Sequence, residues 1–306
     1  MTLKDLNTRT GRRALLAYGG LWGGSTLYLA TRGADWVFPI ASLLIFGGML
    51  STLSWLFTRK MDAPLLAIAN PRIETLGLLA FLLVYAVVFL GWAFGPIKAV
   101  IPSGQLHALW VLTVKLLVHV VLPSGLILML GGSIRSMWRA GMGQRRFWIA
   151  LIPLGALLFG LMALVTPALS QIAGLHLTLP VALLWVLGAW FWVSLEAGLC
   201  EEYLFRAGLQ SRLSAWLQSP VAAIIVTSLI FALCHAPGLY LRGTPDTDGY
   251  STDPLQVIAF TIATLSPISI ALGLLWERSR SLLLVVLLHG AIDALPFTAE
   301  FVKIWS

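Results

Sequence analysis

The sequence predicts an all-α fold, a polytopic transmembrane helical bundle of about eight to nine spans. Three observations support this: 58% of the 306 residues are hydrophobic, only 11% are charged, and the apolar residues form long runs. A soluble domain carries about 25% charged residues, and a membrane-spanning helix needs about 20 mostly apolar residues. The two cysteines, Cys200 and Cys234, match neither a disulfide framework nor a metal-binding CxxC pair. We therefore expect the chain to fold in lipid.

Nine apolar runs are long enough to be candidate spans. The first is the weakest, because glycines interrupt it between residues 19 and 24. No fixed-period repeat and no long polar segment interrupts the series, so one membrane domain is the simplest interpretation. The runs lie at about 14–31, 36–57, 76–97, 107–131, 147–169, 180–204, 220–240, 256–275 and 282–299.

The basic residues indicate an orientation. With the N-terminus inside, fifteen Lys and Arg residues fall in inside segments and four in outside segments. Because inside loops of membrane proteins are enriched in Lys and Arg, the N-terminus is expected inside. The net charge of +7 is then a topology signal, and no nucleic-acid partner is expected. The inside set is Lys4, Arg9, Arg12, Arg13, Arg59, Lys60, Arg72, Arg135, Arg139, Arg145, Arg146, Arg206, Arg212, Arg278 and Arg280, and the outside set is Arg32, Lys98, Arg242 and Lys303.

One outside segment, residues 242–254, is polar, acidic and rich in turn-forming residues. Two interpretations are open. The segment is either a solvated connector or a gate over a lateral opening between the helices.

Ionisable residues inside membrane helices are concentrated at three places. Each costs about 2.5–3.5 kcal/mol at the centre of a span, so such residues indicate function. The first place holds Glu196, Glu201, Glu202 and Arg206. Glu202 and Arg206 are four residues apart, which is the spacing of a helical ion pair. Glu201 points elsewhere on the helix and is expected to remain free for chemistry.

The other two places supply histidines. His235 and Glu201 each lie 17 residues from residue 218, so a hairpin closed there would bring them to the same depth. His289 and Asp293 are four residues apart and share a helix face. A carboxylate in that position can fix the tautomer of the imidazole, although a hydrogen bond between helices is an alternative use of the pair. Lys115 and His119 form a smaller set in the fourth run.

Three motifs in this order, on successive spans, resemble those of the CPBP family. They are Glu201-Glu-x-x-x-Arg206, Phe231-x-x-x-His235 and His289-x-x-x-Asp293. That family comprises CAAX-processing and bacteriocin-processing membrane endopeptidases and includes the Ras-converting endopeptidase. The resemblance covers about residues 180–300. It divides the chain into N-terminal transmembrane spans of unassigned role, 1–170, and a catalytic transmembrane core, 171–306.

The resemblance implies a glutamic-type intramembrane endopeptidase that hydrolyses a peptide bond of a membrane-anchored protein or peptide. Glu201 would activate water with the help of His235, and Glu202 and Arg206 would support and orient the site. His289 and Asp293 would stabilise the oxyanion. Many family members carry Asn at the last position. Because Asp lacks the amide donor, Asp293 is expected to orient His289 instead.

Several alternatives remain open at this point. No cofactor is expected, but Glu201, His235 and His289 are the ligand types of a zinc site with an open position. Against zinc, the motif is not HExxH, and Arg206 places a cation nearby. A proton-coupled transporter could use Glu201, His235, Asp293 and Lys115 as a relay. A non-catalytic scaffold or immunity protein on the same fold is a third possibility. Under the protease interpretation, the location would be a bacterial or archaeal cell membrane.

Overall fold

A computed structural model describes residues 8–306, and every regular element in that range is a helix. Eight of these helices are long and apolar enough to cross a membrane, which confirms the predicted all-α transmembrane bundle. We number them with two others in chain order. They are α1 (Arg9–Thr31), α2 (Val37–Thr58), α3 (Pro71–Ala99), α4 (Gly104–Met129), α5 (Arg145–Val165), α6 (Ala168–Ala173), α7 (Leu179–Leu217), α8 (Pro220–Arg242), α9 (Pro254–Ser279) and α10 (Leu282–Trp305).

The first candidate span forms helix α1 but is not among the eight apolar helices of the described chain. Its polar and glycine residues lower its hydrophobicity, as the sequence suggested. The helix packs on α8 and α9. The Trp22 indole donates to the Ala263 carbonyl at 3.0 Å, and the Tyr18 hydroxyl lies 3.0 Å from Ser266 Oγ. Polar side chains therefore attach α1 to the bundle.

Helix α7 continues well beyond the predicted end of the sixth span at residue 204. The reason is that its basic residues are neutralised inside the protein: Arg206 and Arg212 are both fully buried. These two arginines therefore lie in a helix and not in a connecting loop, and their side chains do not face water. Thirteen of the fifteen inside charges remain, against the same four outside. Lys4 belongs to this set and lies outside the described residues. The orientation with the N-terminus inside stays a prediction.

Two wide, π-helical stretches interrupt α7 on either side of the acidic pair. They span Ser194–Leu199 and Tyr203–Gln210, with Cys200–Glu202 between them. Such turns are rare and are frequently found at functional sites. They change the direction of neighbouring side chains, so simple α-helical spacing does not describe this part of α7.

Helices α7 and α10 approach each other closely because glycines lie at their contact. A Cβ atom on Gly198 would lie 2.7 Å from the Val286 carbonyl oxygen, and one on Gly290 would lie 2.0 Å from Ser194 Oγ. Neither position has room for a side chain. The close approach allows side chains of α7 to reach the histidine on α10.

A tight turn joins α7 to α8. Gln218 adopts the left-handed conformation with φ of 51°, and the Ser219 hydroxyl accepts from the Ala222 amide at 3.3 Å. Ser at the N-cap and Pro at the first helical position both favour the start of a helix here. The chain therefore reverses at residue 218, as predicted, and α8 runs back along α7.

Candidate active site

The Glu201 carboxylate lies between the two histidines. Its Oε2 atom is 4.0 Å from His235 Nε2 and 3.7 Å from His289 Nε2. Its side chain is 17% exposed, so it is sheltered but reachable. The α7–α8 turn accounts for the contact with His235, because both residues return to one depth. The structure thus brings together three residues from three separate helices.

Hydrogen bonds to the Nδ1 atoms orient the two imidazole rings. His235 Nδ1 lies 2.8 Å from the Phe231 carbonyl oxygen, which can only accept, so Nδ1 carries a proton. In the neutral ring, Nε2 is then an acceptor facing Glu201. His289 Nδ1 lies 2.7 Å from Glu202 Oε1. Both Nε2 atoms are left to face the Glu201 carboxylate.

Glu202 connects His289 to Arg206. While Oε1 faces His289, Oε2 lies 3.1 Å from Arg206 Nε, and neither Glu202 nor Arg206 is exposed. The predicted Glu202–Arg206 ion pair is therefore present. Arg206 also donates to Ser269 Oγ at 3.0 Å and lies 4.4 Å from the centre of the Phe231 ring. Breaking a buried pair of this kind typically costs about 3–5 kcal/mol.

Asp293 does not hold His289 in the expected way. Its Oδ2 atom lies 3.5 Å from His289 Nε2, on the side that faces Glu201, and its side chain is 42% exposed. The nitrogen that orients the ring is bonded to Glu202 instead. The expectation that Asp293 is the main orienting group was therefore wrong. Spacing along one helix could not reveal that the neighbouring helix supplies a closer carboxylate.

The N-terminal helices add a second polar group to the site. Lys115 Nζ lies 3.2 Å from Glu196 Oε1, and the Tyr85 hydroxyl lies 2.9 Å from His119 Nε2. His119 Nδ1 is 2.8 Å from the Lys115 carbonyl oxygen, so Nε2 accepts from the tyrosine. Sequence reasoning identified Lys115 and His119 but missed Tyr85, because a lone tyrosine in an apolar run carries no signal.

A cavity of about 610 Å³ extends from these polar groups to the bundle surface. Glu201, His235, Lys115 and His119 all line it. Six aromatic side chains contribute to its other walls, and they are Phe38, Tyr85, Phe89, Phe94, Phe205 and Phe260. The cavity thus combines one polar region with apolar walls from both halves of the chain.

The acidic segment between α8 and α9 covers part of this cavity. Thr247 and Asp248 line it. At Gly249, which has a φ of +78°, an added Cβ would lie 2.0 Å from the Phe260 ring. The Tyr28 hydroxyl donates to Asp253 at 2.7 Å and holds the pKa of that carboxyl below its ordinary value. The segment is therefore packed against the cavity, and its movement as a gate stays a prediction.

The donor atoms around Glu201 are compatible with two chemistries. A carboxylate and two imidazole nitrogens could hold a water molecule, and they are also zinc ligands. Within residues 8–306, no three His, Cys, Asp or Glu side chains are grouped as closely as a metal site requires.

Comparison with known proteins agrees with the motifs. Residues 182–295 match the family model described as type II CAAX prenyl endopeptidase Rce1-like. No curated protein and no solved structure gives a significant match. The matched region contains the whole of the predicted set, Glu201, Glu202, Arg206, His235, His289 and Asp293. Residues 182–295 are therefore similar to the type II CAAX prenyl endopeptidases that this family model describes.

Proposed function

We propose that this membrane protein is a glutamic intramembrane endopeptidase in which Glu201 activates the attacking water. The observation that carries the proposal is the position of the Glu201 carboxylate, within 4.0 Å of two imidazole Nε2 atoms beside a large cavity. A base within hydrogen-bonding reach of a water is the first requirement of general base catalysis.

Water can be oriented by two acceptors in this site. Glu201 accepts one of its hydrogens, and His235 Nε2, which carries a lone pair in the neutral ring, accepts the other. The lone pairs of the water oxygen are then free to attack a carbonyl carbon. As the C–O bond forms, Glu201 takes the proton of the attacking water.

His289 is in position to stabilise the oxyanion. Its Nδ1 proton is engaged by Glu202, and a proton on Nε2 would be favoured by the Glu201 and Asp293 carboxylates nearby. The Nε2–H group then donates to the carbonyl oxygen as it becomes negative. Collapse of the tetrahedral intermediate breaks the C–N bond. Glu201 returns its proton to the leaving amine, so one water is consumed and two chain ends are produced.

The cavity indicates the kind of substrate. Its aromatic walls suit an apolar segment, and its polar region lies at the catalytic groups. We therefore propose an extended segment of a membrane-anchored protein or peptide as the substrate.

Cleavage of candidate membrane-anchored peptides by the purified protein tests the proposal. Glu201→Gln should abolish cleavage without changing insertion or thermal stability, because only the base is removed. Glu300→Gln is the matched control, since Glu300 is exposed on α10 and does not line the cavity. Retained cleavage by Glu201→Gln, mapped to the same bond, would remove Glu201 from this role.

A further inference from the structure

Three polar side chains of the N-terminal half line the cavity beside Glu201 and have no part in the proposed chemistry. They are Tyr85 on α3 and Lys115 and His119 on α4, and we call them the N-terminal polar patch. All three lie outside residues 182–295, so the family match assigns them no function. Tyr85 and His119 are buried, and the Lys115 side chain is 17% exposed. Ionisable groups inside membrane helices indicate function.

The helices that carry the patch are widened where it lies. Tyr85 begins the π-helical stretch Tyr85–Ala93, and His119 lies within the stretch Leu117–Val121. Such turns are rare and are frequently found at functional sites. Widened turns also flank Glu201 on α7, across the cavity. The patch therefore has the local backbone features of the catalytic side of the cavity.

The hydrogen-bond directions in the patch make the Tyr85 oxygen an acceptor. His119 Nδ1 lies 2.8 Å from the Lys115 carbonyl oxygen, which can only accept, so Nδ1 carries a proton. The Lys115 ammonium disfavours a second positive charge on the ring, so Nε2 accepts from the Tyr85 hydroxyl at 2.9 Å. The hydroxyl then has lone pairs but no hydrogen to offer. Because no donor in residues 8–306 bonds the Tyr85 oxygen, it is free to accept from an N–H group in the cavity.

Lys115 supplies the complementary donor. Its Nζ atom donates to Glu196 Oε1 at 3.2 Å, and an ammonium has three hydrogens. No other acceptor in the part of the chain that the structure describes bonds this ammonium. The Glu196 and Glu201 carboxylates both act on its charge. Negative charge is therefore already in excess here, which disfavours a further anion and favours a neutral carbonyl oxygen.

We propose that the N-terminal polar patch binds the backbone of the substrate. The Tyr85 oxygen accepts from a backbone N–H, and Lys115 donates to a backbone carbonyl, beside the bond that lies at Glu201. This inference rests on the proposed function. An extended segment at membrane depth needs partners for its peptide groups. The catalytic groups engage only the scissile bond, so the neighbouring peptide groups need the patch. Such a subsite positions a segment without selecting its side chains.

Binding of an uncharged peptide to the full-length protein in detergent tests the subsite. The probe is a fluorescent N-palmitoyl hexapeptide of alternating alanine and valine with an amidated C-terminus. The parent protein carries Glu201→Gln, so that binding is measured without turnover. Tyr85→Phe should weaken binding by about fivefold, the usual size of one neutral hydrogen bond. Tyr18→Phe is the matched control, because Tyr18 is also buried, contacts Ser266 through its hydroxyl and does not line the cavity.

Peptides with one backbone N–H replaced by an ester oxygen identify the partner of Tyr85. One such analogue should bind the parent about fivefold more weakly than the amide peptide does. The same analogue should show no penalty in Tyr85→Phe, since the bond is already lost. His119→Phe frees the Tyr85 hydrogen, which can then point at the ester, so this variant should show a smaller penalty. A purely structural role for His119 would leave the penalty unchanged.

Lys115 is tested in a background without its carboxylate partner. Lys115→Met/Glu196→Gln should bind the amidated peptide about tenfold more weakly than Glu196→Gln does, because the two proteins differ only at Lys115. The same peptide with a free C-terminal carboxylate should bind the parent no more tightly than the amide, since the surrounding carboxylates repel it.

Four results would overturn the proposal. They are the absence of saturable peptide binding, an equal loss of binding in Tyr18→Phe, and an unchanged ester penalty in Tyr85→Phe. The fourth is much tighter, Lys115-dependent binding of the free acid, which would make Lys115 part of a carboxylate site. Because no turnover is needed, these outcomes are independent of whether Glu201 is the base, which the cleavage assay of Glu201→Gln decides.

Discussion

The two halves of this chain differ in what they bury. In α2 and α3, 17% and 22% of an 18-residue apolar stretch is buried, whereas in α8, α9 and α10 the share is 56%, 67% and 67%. The Rce1-like match covers only the C-terminal half. Helices α8, α9 and α10 therefore form the most buried part of the bundle, and α8 and α10 carry His235 and His289. Helix α7, which carries Glu201, is buried over only 17% of its apolar stretch, as α2 is. The difference indicates that the two proposed catalytic histidines lie on the buried helices of the bundle, whereas α2 and α3 lie at its periphery.

The N-terminal half nevertheless contacts α7 through two ion pairs. Glu74 on α3 accepts from Arg212 on α7 at 3.0 Å, and both side chains are buried. Lys115 on α4 pairs with Glu196 on α7. Both contacts are made with the helix that carries Glu201. The N-terminal spans are thus attached to the helix that carries Glu201 and supply one wall of the cavity beside it.

The largest effects are expected from the histidines of the core. His235→Ala should lower kcat by about 10²–10⁴, the usual contribution of general acid–base assistance. His289→Ala should lower it by about 10²–10³, the usual cost of losing an oxyanion donor. Steady-state cleavage by stably folded variants provides the measurement. A change of less than about threefold in either variant would separate that histidine from the chemistry.

Loss of the buried Glu74–Arg212 ion pair, which joins α3 to α7, should lower the stability of the protein and leave its catalytic rate unchanged. Arg212→Met leaves the buried Glu74 carboxylate unpaired and should destabilise the protein by about 3–5 kcal/mol. The double variant Glu74→Leu/Arg212→Met should recover most of this loss, because no buried charge remains. Thermal unfolding in detergent measures both. The rate of cleavage per folded molecule should be unchanged. A loss of cleavage in a variant that remains stably folded would contradict a purely structural role for the Glu74–Arg212 pair.

The smallest effect is expected at Asp293. The ring of His289 is held by Glu202, and Asp293 is partly exposed. Asp293→Asn keeps an acceptor and replaces a charge, so a change of about tenfold or less in kcat is expected, the size of one hydrogen bond. A loss as large as that of His289→Ala would show that Asp293, and not Glu202, governs the histidine.

Much of the fold could be predicted from local pattern. Runs of apolar residues located the eight long helices, and the symmetric spacing of Glu201 and His235 about residue 218 predicted their contact. Contacts between helices distant in sequence could not be predicted this way. The Glu202–His289 bond depends on glycines that bring α7 and α10 together, and on the π-helical turns beside Glu202.

The extension of α7 was missed for a related reason. Arg206 and Arg212 look like loop charges in a sequence, because a buried arginine requires a partner that only the fold reveals. For Arg212 that partner is Glu74, which is 138 residues away. Charge patterns therefore locate membrane boundaries well only where the charges remain in water.

The central claim is that Glu201, and not a metal ion, activates the water. The most direct test measures cleavage by the purified protein before and after prolonged dialysis against a strong chelator, with elemental analysis of the same active sample. If Glu201 and His235 hold the water by hydrogen bonds, a chelator removes nothing, and full activity without bound metal is predicted. Stoichiometric zinc, with activity lost on chelation and restored when zinc is returned, would contradict the glutamic mechanism.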